Sequence, residues 1–155
     1  MLIKVTCSNI EATQNLAKQF ADIARQGDVF LLFGTLGMGK SVFARAFIQA
    51  LTGAKEVPSP TFTLVQTYTA PAFEIYHFDL YRLKNPEEIW ELNMEEALYG
   101  AVSLIEWPEK MGAYLPRDAF KISIASEKQD ERVFEIETHS IEKQERLKSL
   151  AIGKV

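Results

Sequence analysis

Apolar residues recur with two different periods along this chain, and the changes of period mark out its elements. Met1 to Cys7 alternates loosely and reads as an edge strand. Leu16, Phe20 and Ile23 then fall at i, i+4 and i+7, one buried stripe of a helix that Ser8 or Asn9 can cap and that runs to about Arg25, with Gly27 placed to end it. From Asp28 to Gly34 the residues are almost all apolar, the pattern of a fully buried strand. Helical spacing resumes from Ser41 to Leu51, with Phe43, Phe47, Ala50 and Leu51 turned inward and Gly53 closing the helix.

The second half of the chain is shorter in its rhythm. Pro58 and Pro60 keep the next stretch extended, and Phe62, Leu64, Thr67 and Tyr68 suit a strand. A further strand, 74–82, puts Ile75, His77 and Asp79 on one face. Asn85, Pro86 and Glu88 form a helix-start signature with a capping box. The apolar members of that helix, Ile89, Trp90, Met94, Ala97 and Leu98, suit core or a docking face. A short buried strand, 101–106, ends in Glu106, and Pro108 and Pro116 bracket a loop. Phe120 to Ala125 and Val133 to Thr138 alternate as an antiparallel pair around the polar turn 126–131, and a charged helix spans Ser140 to Ala151. No repeat, low-complexity stretch or linker interrupts residues 1–155, so a single domain is expected.

One junction between periods carries chemistry. Residues 34–41 read Gly-Thr-Leu-Gly-Met-Gly-Lys-Ser, and Gly34, Gly39, Lys40 and Ser41 satisfy the phosphate-loop pattern. Backbone N–H groups must converge on a phosphate oxygen, so glycine serves at the tight points. The following helix points its free N–H groups and positive end at the same anion. Lys40 reaches the outer phosphates, and the Ser41 hydroxyl suits a magnesium ion. Strand, glycine loop and helix occur in the order such a site requires.

Composition narrows the remaining possibilities. The 155 residues carry 47% apolar and 25% charged side chains, as in an ordinary globular domain. A net charge of −4 with no evident basic face argues against gripping RNA alone, so any RNA role is expected to run through a partner. Cys7 is the single cysteine, which rules out an internal disulfide or a cysteine-based zinc site. No apolar run approaches the about 18 residues of a membrane span and no signal peptide is visible, so a cytoplasmic protein without membrane association is expected.

A phosphate loop needs an acidic partner for magnesium at the end of a neighbouring strand. Glu106 and Asp79 both end apolar strands, where an unpartnered carboxylate is costly. The competing reading for each is a cap or a salt-bridge partner. Direct coordination cannot be divided between them from sequence. Thr61, in the proline-stiffened stretch, suits a switch that senses the γ-phosphate as well as it suits a strand-starting threonine. His77 reads as a satisfied core histidine rather than a base. Arg82 suits either charge stabilisation or a surface role, and Trp107 packing or an interface.

Taken together, Gly34-Thr-Leu-Gly-Met-Gly-Lys-Ser, Ser59-Pro-Thr-Phe-Thr-Leu-Val, Tyr76-His-Phe-Asp-Leu-Tyr-Arg-Leu and Leu104-Ile-Glu-Trp-Pro-Glu resemble the TsaE (YjeE) family in order and rough spacing. The resemblance spans about residues 8–138. It implies an α/β P-loop NTPase fold, with a central, mostly parallel sheet, antiparallel strands at one side and flanking helices. It further implies magnesium-dependent ATP hydrolysis yielding ADP. The family serves N6-threonylcarbamoylation of adenosine 37 in tRNAs reading ANN codons, acting on a complex of the TsaD and TsaB proteins. By this resemblance Thr35, Leu36, Gly37, Met38, Gly39, Lys40 and Ser41 form the nucleotide-binding loop, and Ser41 and Glu106 bind magnesium. Lys40 and Asp79 join the catalytic set, and Ser59, Pro60 and Thr61 match a switch-like segment. The regions of Ile10 and Lys128 correspond to adenine-side contacts. The chain departs from the family in Thr35, where Asp is usual, in Ser41, where Thr is usual, and in Val42, which replaces a common second threonine. Ser41 keeps the hydroxyl, whereas losing the acid at Thr35 bears on the hydrolysis rate.

Two other classes of function fit a phosphate loop. A small-molecule kinase needs a second substrate pocket and an arginine-rich lid, for which Arg82, Arg117 and Arg132 are the candidates. A nucleotide-dependent switch needs tight binding and little turnover. A GTPase is disfavoured, because the chain has no Asn-Lys-x-Asp motif.

Overall fold

The computed structural model describes residues 1–35 and 37–150. All seven strands hydrogen-bond into one sheet: β1 (Leu2–Cys7), β2 (Val29–Phe33), β3 (Val65–Thr69), β4 (Glu74–Asp79), β5 (Val102–Glu106), β6 (Phe120–Ala125) and β7 (Arg132–Glu137). Their spatial order is β1-β7-β6-β2-β5-β4-β3. The four central strands β6, β2, β5 and β4 are parallel. β7 and β1 continue antiparallel on one side, and β3 adds an antiparallel strand at the opposite edge.

Apolar faces account for the layers. Helices α1 (Ile10–Ile23) and α2 (Lys40–Thr52) cover one face of the sheet. There Leu16, Phe20, Phe43 and Phe47 meet Phe30, Phe120 and Phe134, with Phe30 stacked on Phe120 at 4.9 Å between ring centroids. The opposite face of the central strands, through Leu31, Phe78 and Ile105, packs on Ile89, Met94 and Met111. Each of these side chains is fully buried, worth roughly 1.5–3 kcal/mol apiece relative to exposure. The charged helix α4 (Ile141–Lys148) adds Leu147 to the first core.

Local chemistry sets the boundaries. Asn9 caps α1, its side chain accepting from the Ala12 amide at 2.8 Å. Ser140 caps α4 through the Lys143 amide. Among the described residues no helix is long and apolar enough to cross a membrane.

Several expectations give way. Ala50 is exposed rather than inward, and Leu51 only half-buried, because α2 turns Ala46, Phe47 and Ile48 to the core. Phe62 and Leu64 do not join a strand: 61–63 form a turn closed by Leu64 N–H donating to Pro60 O at 2.7 Å, with Leu64 left-handed at φ 68°. The helix after Asn85 is two pieces, a 3₁₀ helix (Pro86–Leu92) and α3 (Met94–Gly100), broken where Asn93 turns left-handed at φ 61°. The segment between Pro108 and Pro116 is no open loop, since Pro108–Tyr114 forms 3₁₀ turns, kinked at Gly112 (φ 55°), that bury Met111. The final helix stops at Lys148, and Ala151 and Leu36 lie outside the described residues.

Candidate functional site

The functional groups gather at the C-terminal ends of the parallel strands, where the switch of chain direction opens a crevice. β2 ends at Phe33 and runs into residues 34–39, after which Lys40 begins α2. Gly34 passes so close to β6 that a side-chain carbon there would stand 3.0 Å from Ile124 O. Gly39 adopts φ 101°, a left-handed conformation that glycine reaches without strain. The first helical bond of α2 is Phe43 N–H to Gly39 O at 3.1 Å, so the amides of the preceding residues have no helical acceptor.

Lys40 is buried, and its Nζ donates to Gly34 O at 2.6 Å while lying 3.6 Å from the centre of the Trp107 ring. Burial holds its pKa below the ordinary lysine value, with Glu106, Glu109 and Asp79 pulling the other way. The ammonium therefore rests on weak substitutes for an anion. Trp107 has a left-handed backbone at φ 58°, and its ring also packs on Tyr81 at 4.9 Å between centroids.

The two acids are register partners on adjacent parallel strands, Asp79 opposite Glu106. Both are buried. Asp79 is held on both oxygens: Oδ1 accepts from the Tyr81 amide at 3.0 Å and Oδ2 from Thr61 Oγ1 at 3.2 Å. Thr61 in turn shares a 2.8 Å hydrogen bond with Ser59 Oγ. Glu106 meets Ser41 Oγ through Oε1 at 3.4 Å and His77 Nε2 through Oε2 at 2.6 Å. A cavity of about 280 Å³ joins Ser41, Thr61, Asp79, Glu106 and Trp107 to the loop. Serine hydroxyl and carboxylates are the hard oxygen donors that magnesium accepts. Among the described residues no cluster of three or more His, Cys, Asp or Glu side chains forms a metal cage. Such a donor set fits an ion completed by phosphate oxygens and water rather than one caged by protein.

A second cavity, of about 750 Å³, adjoins the first across Gly37, Gly39 and Val42. One wall is the start of α1 with Asn9 and the exposed Ile10, and the other is the β6–β7 turn with Gln129, Asp130 and Arg132. Lys128 is exposed in that turn, where its carbonyl accepts from Ser126 Oγ, and it does not line the cavity. Thr35 is exposed, its carbonyl accepting from Met38 N–H at 3.3 Å.

The structure therefore brings Gly37, Met38, Gly39, Lys40, Ser41, Thr61, Asp79 and Glu106 around one cavity, with Gly34 behind Lys40 and Ile10 at the adjoining one. Arg82 is not among them, for its guanidinium lies 4.4 Å from the ring of Phe62. Two residues that the sequence offered in other roles, Trp107 for packing or an interface and Arg132 for a kinase lid, contribute here. Trp107 covers the lysine, and Arg132 donates to Met38 O at 3.2 Å and to Gln129 O and Glu131 O, tying the phosphate loop to the β6–β7 turn. Only the adjacency of Trp107 to Glu106 hinted at the first. Nothing local marked the second.

A glycine loop between a central strand and its helix, facing carboxylates on neighbouring parallel strands, is the P-loop NTPase fold. Comparison with known proteins narrows the class. The family model described as threonylcarbamoyl adenosine biosynthesis protein TsaE matches residues 7–134. This chain belongs to that family. It is 46% identical over 127 residues to the tRNA threonylcarbamoyladenosine biosynthesis protein TsaE of Rickettsia bellii, covering 81% of this chain and 88% of that one. The protein of the same name from Bacillus subtilis is 37% identical over 125 residues, 80% of this chain and 78% of its own. Its fold is similar to the crystal structure of Bacillus subtilis YdiB, with a TM-score of 0.80 and 28% identity over 97% of this chain and 95% of that one.

Proposed function

We propose that this chain is a magnesium-dependent ATPase that serves N6-threonylcarbamoylation of adenosine 37 in tRNAs, acting on a complex of the TsaD and TsaB proteins. Membership of the TsaE family supports the link to tRNA modification. The observation that carries the enzymatic part is the convergence of Lys40 and Ser41 with Asp79 and Glu106 at the ends of three strands. A larger cavity opens beside them on the α1 side, where Ile10 offers an apolar contact to a nucleobase.

In this reading Lys40 leaves Gly34 O and Trp107 for the β- and γ-phosphates, and the loop amides take the remaining oxygens. Ser41 and Glu106 hold magnesium, which when bound neutralises charge developing on the phosphoryl oxygens. Glu106 would serve as the ligand beside Ser41, since one of its oxygens has only a long contact with that hydroxyl, whereas both oxygens of Asp79 already accept hydrogen bonds. Asp79 and Thr61 then orient water or report the γ-phosphate from the far side of the cavity.

Thr35 puts a hydroxyl, not a carboxylate, at the mouth of the loop, and among the described residues no arginine lines the phosphate-side cavity. That favours slow turnover by the chain alone, with the partner complex completing the site. It also keeps open a switch that hydrolyses little, and it weighs against a kinase with an arginine lid. The deciding measurement is ATP turnover with magnesium, for the chain alone and then with TsaB, TsaD and tRNA. A rate that rises with the pair is expected. An unchanged rate overturns the role in the modification cycle, and a rate that depends on an added metabolite identifies a kinase.

A further inference from the structure

His77 lies beside the acidic pair and has no part in the scheme above. It sits on β4 two residues before Asp79 and on the same face, its side chain 2% exposed. Nε2 lies 2.6 Å from Glu106 Oε2, and Nδ1 has no hydrogen-bond partner. A carboxylate oxygen accepts, so Nε2 donates to Oε2. Leaving one buried polar atom unpaired costs stability. The ring is thus committed to one task, the grip on one oxygen of Glu106.

Its effect is to make the two carboxylate oxygens unequal. Oε2 accepts from a buried donor carried on β4, where His77 stands opposite Leu104 of β5. Oε1 meets Ser41, and Glu106 lines the cavity. We propose that His77 is a positioning residue that restricts Glu106 to single-oxygen coordination and thereby selects a small divalent cation over a large one. The inference rests on the reading of Glu106 as a metal ligand given above. Its chemistry is general. Calcium takes six to eight oxygens and readily uses both oxygens of a carboxylate, whereas magnesium takes six in a tight octahedron and one oxygen per carboxylate. A donor on the second oxygen competes with its use by calcium and leaves the magnesium contact intact. Holding the first oxygen in one orientation favours magnesium further, because it tolerates little distortion.

The test measures ADP affinity by calorimetry in the presence of magnesium, of calcium and of neither, for wild type, His77→Phe and His77→Gln. The glutamine amide nitrogen reaches about the place of Nε2 and keeps the donor, whereas phenylalanine removes it. In His77→Phe the magnesium-dependent gain in affinity should fall about ten-fold while the calcium-dependent gain holds or rises, with metal-free affinity unchanged. His77→Gln should retain the wild-type preference. An unaltered magnesium-to-calcium ratio in His77→Phe overturns the proposal, and so does a His77→Gln that loses the preference as completely. Should His77→Phe fail to fold, His77→Asn, whose amide stops short of the Nε2 position, takes its place under the same criteria. A wild type whose ADP affinity ignores divalent cations instead refutes the metal role of Glu106, and with it this inference.

Discussion

Strand β2 has a buried charge at each end, and the two ends are treated in opposite ways. At its start, Asp28 is buried and saturated: Arg146 grips both of its carboxylate oxygens, and the Arg25 amide donates to Oδ2 at 2.8 Å. Arg146 spends its remaining donors on Ile23 O and Glu142, and Lys143 bridges Asp28 and Asp118. The Asp28 carboxylate holds the guanidinium charged well above its ordinary range. At the other end, Lys40 has a carbonyl, an aromatic ring and no close carboxylate, and burial weakens its charge. The first arrangement is complete and ties α4 to the start of β2. The second is incomplete in the way a site for an anion must be. Buried charge alone does not mark a functional site; buried charge short of partners does.

The largest effect that sharpens this contrast is expected at the saturated end. Arg146→Met leaves Asp28 buried with only Lys143, at 3.9 Å, as its cation and should cost about 3–5 kcal/mol of stability by urea denaturation, while nucleotide affinity in the still-folded fraction is retained. A loss below about 1 kcal/mol would show that the network is loosely solvated. Lys40→Ala should do the reverse. Turnover should drop by about 10²–10³-fold, with stability changed by less than about 1 kcal/mol, because the lysine has no strong partner to lose. Equal turnover in variant and wild type would remove Lys40 from the chemistry.

The smallest expected effect concerns pH. The hydrogen bond from Arg146 holds the Glu142 carboxyl below the ordinary glutamate range. A depressed folded-state pKa stabilises at pH above the unfolded value and loses that contribution as pH falls through the folded one. Glu142 is half exposed, so solvent screening limits the gain to about 0.5 kcal/mol. The stability difference between wild type and Glu142→Gln should therefore be present at neutral pH and shrink on acidification below about pH 4. A difference that persists in acid would assign the effect to packing instead.

Much of the fold was legible because its signals are local. The apolar run at Val29–Phe33, the glycine pattern after it and the Asn9 cap each act within a few residues. The errors fell where a distant contact overrides a local preference. Residues 86–98 carry a helix-start signature and helical spacing, yet the chain breaks at Asn93. Extended propensity at Phe62 and Leu64 yielded to the bond between Asp79 N–H and Leu64 O, which seats the 61–63 turn over the acids. The site divides in the same way. The loop, Ser41, Asp79 and Glu106 stood out by residue type and position in their elements. The role of His77 did not, since a histidine within an apolar strand carries no mark of which atom it will face.

The sequence by itself determined the α/β alternation, the phosphate loop, the likeness to one family and the two acids that can serve it, because backbone geometry and side-chain chemistry at those positions leave few alternatives. The tertiary structure alone decided that Glu106 would meet Ser41 and His77 while Asp79 met Thr61 and the Tyr81 amide. It also decided that Trp107 would cover Lys40, that Arg132 would hold the loop to the β6–β7 turn, and that Arg146 would cross 118 residues to Asp28. Those outcomes depend on which strands become neighbours and in what register. That is settled by packing the whole chain, and no segment of it carries the information alone.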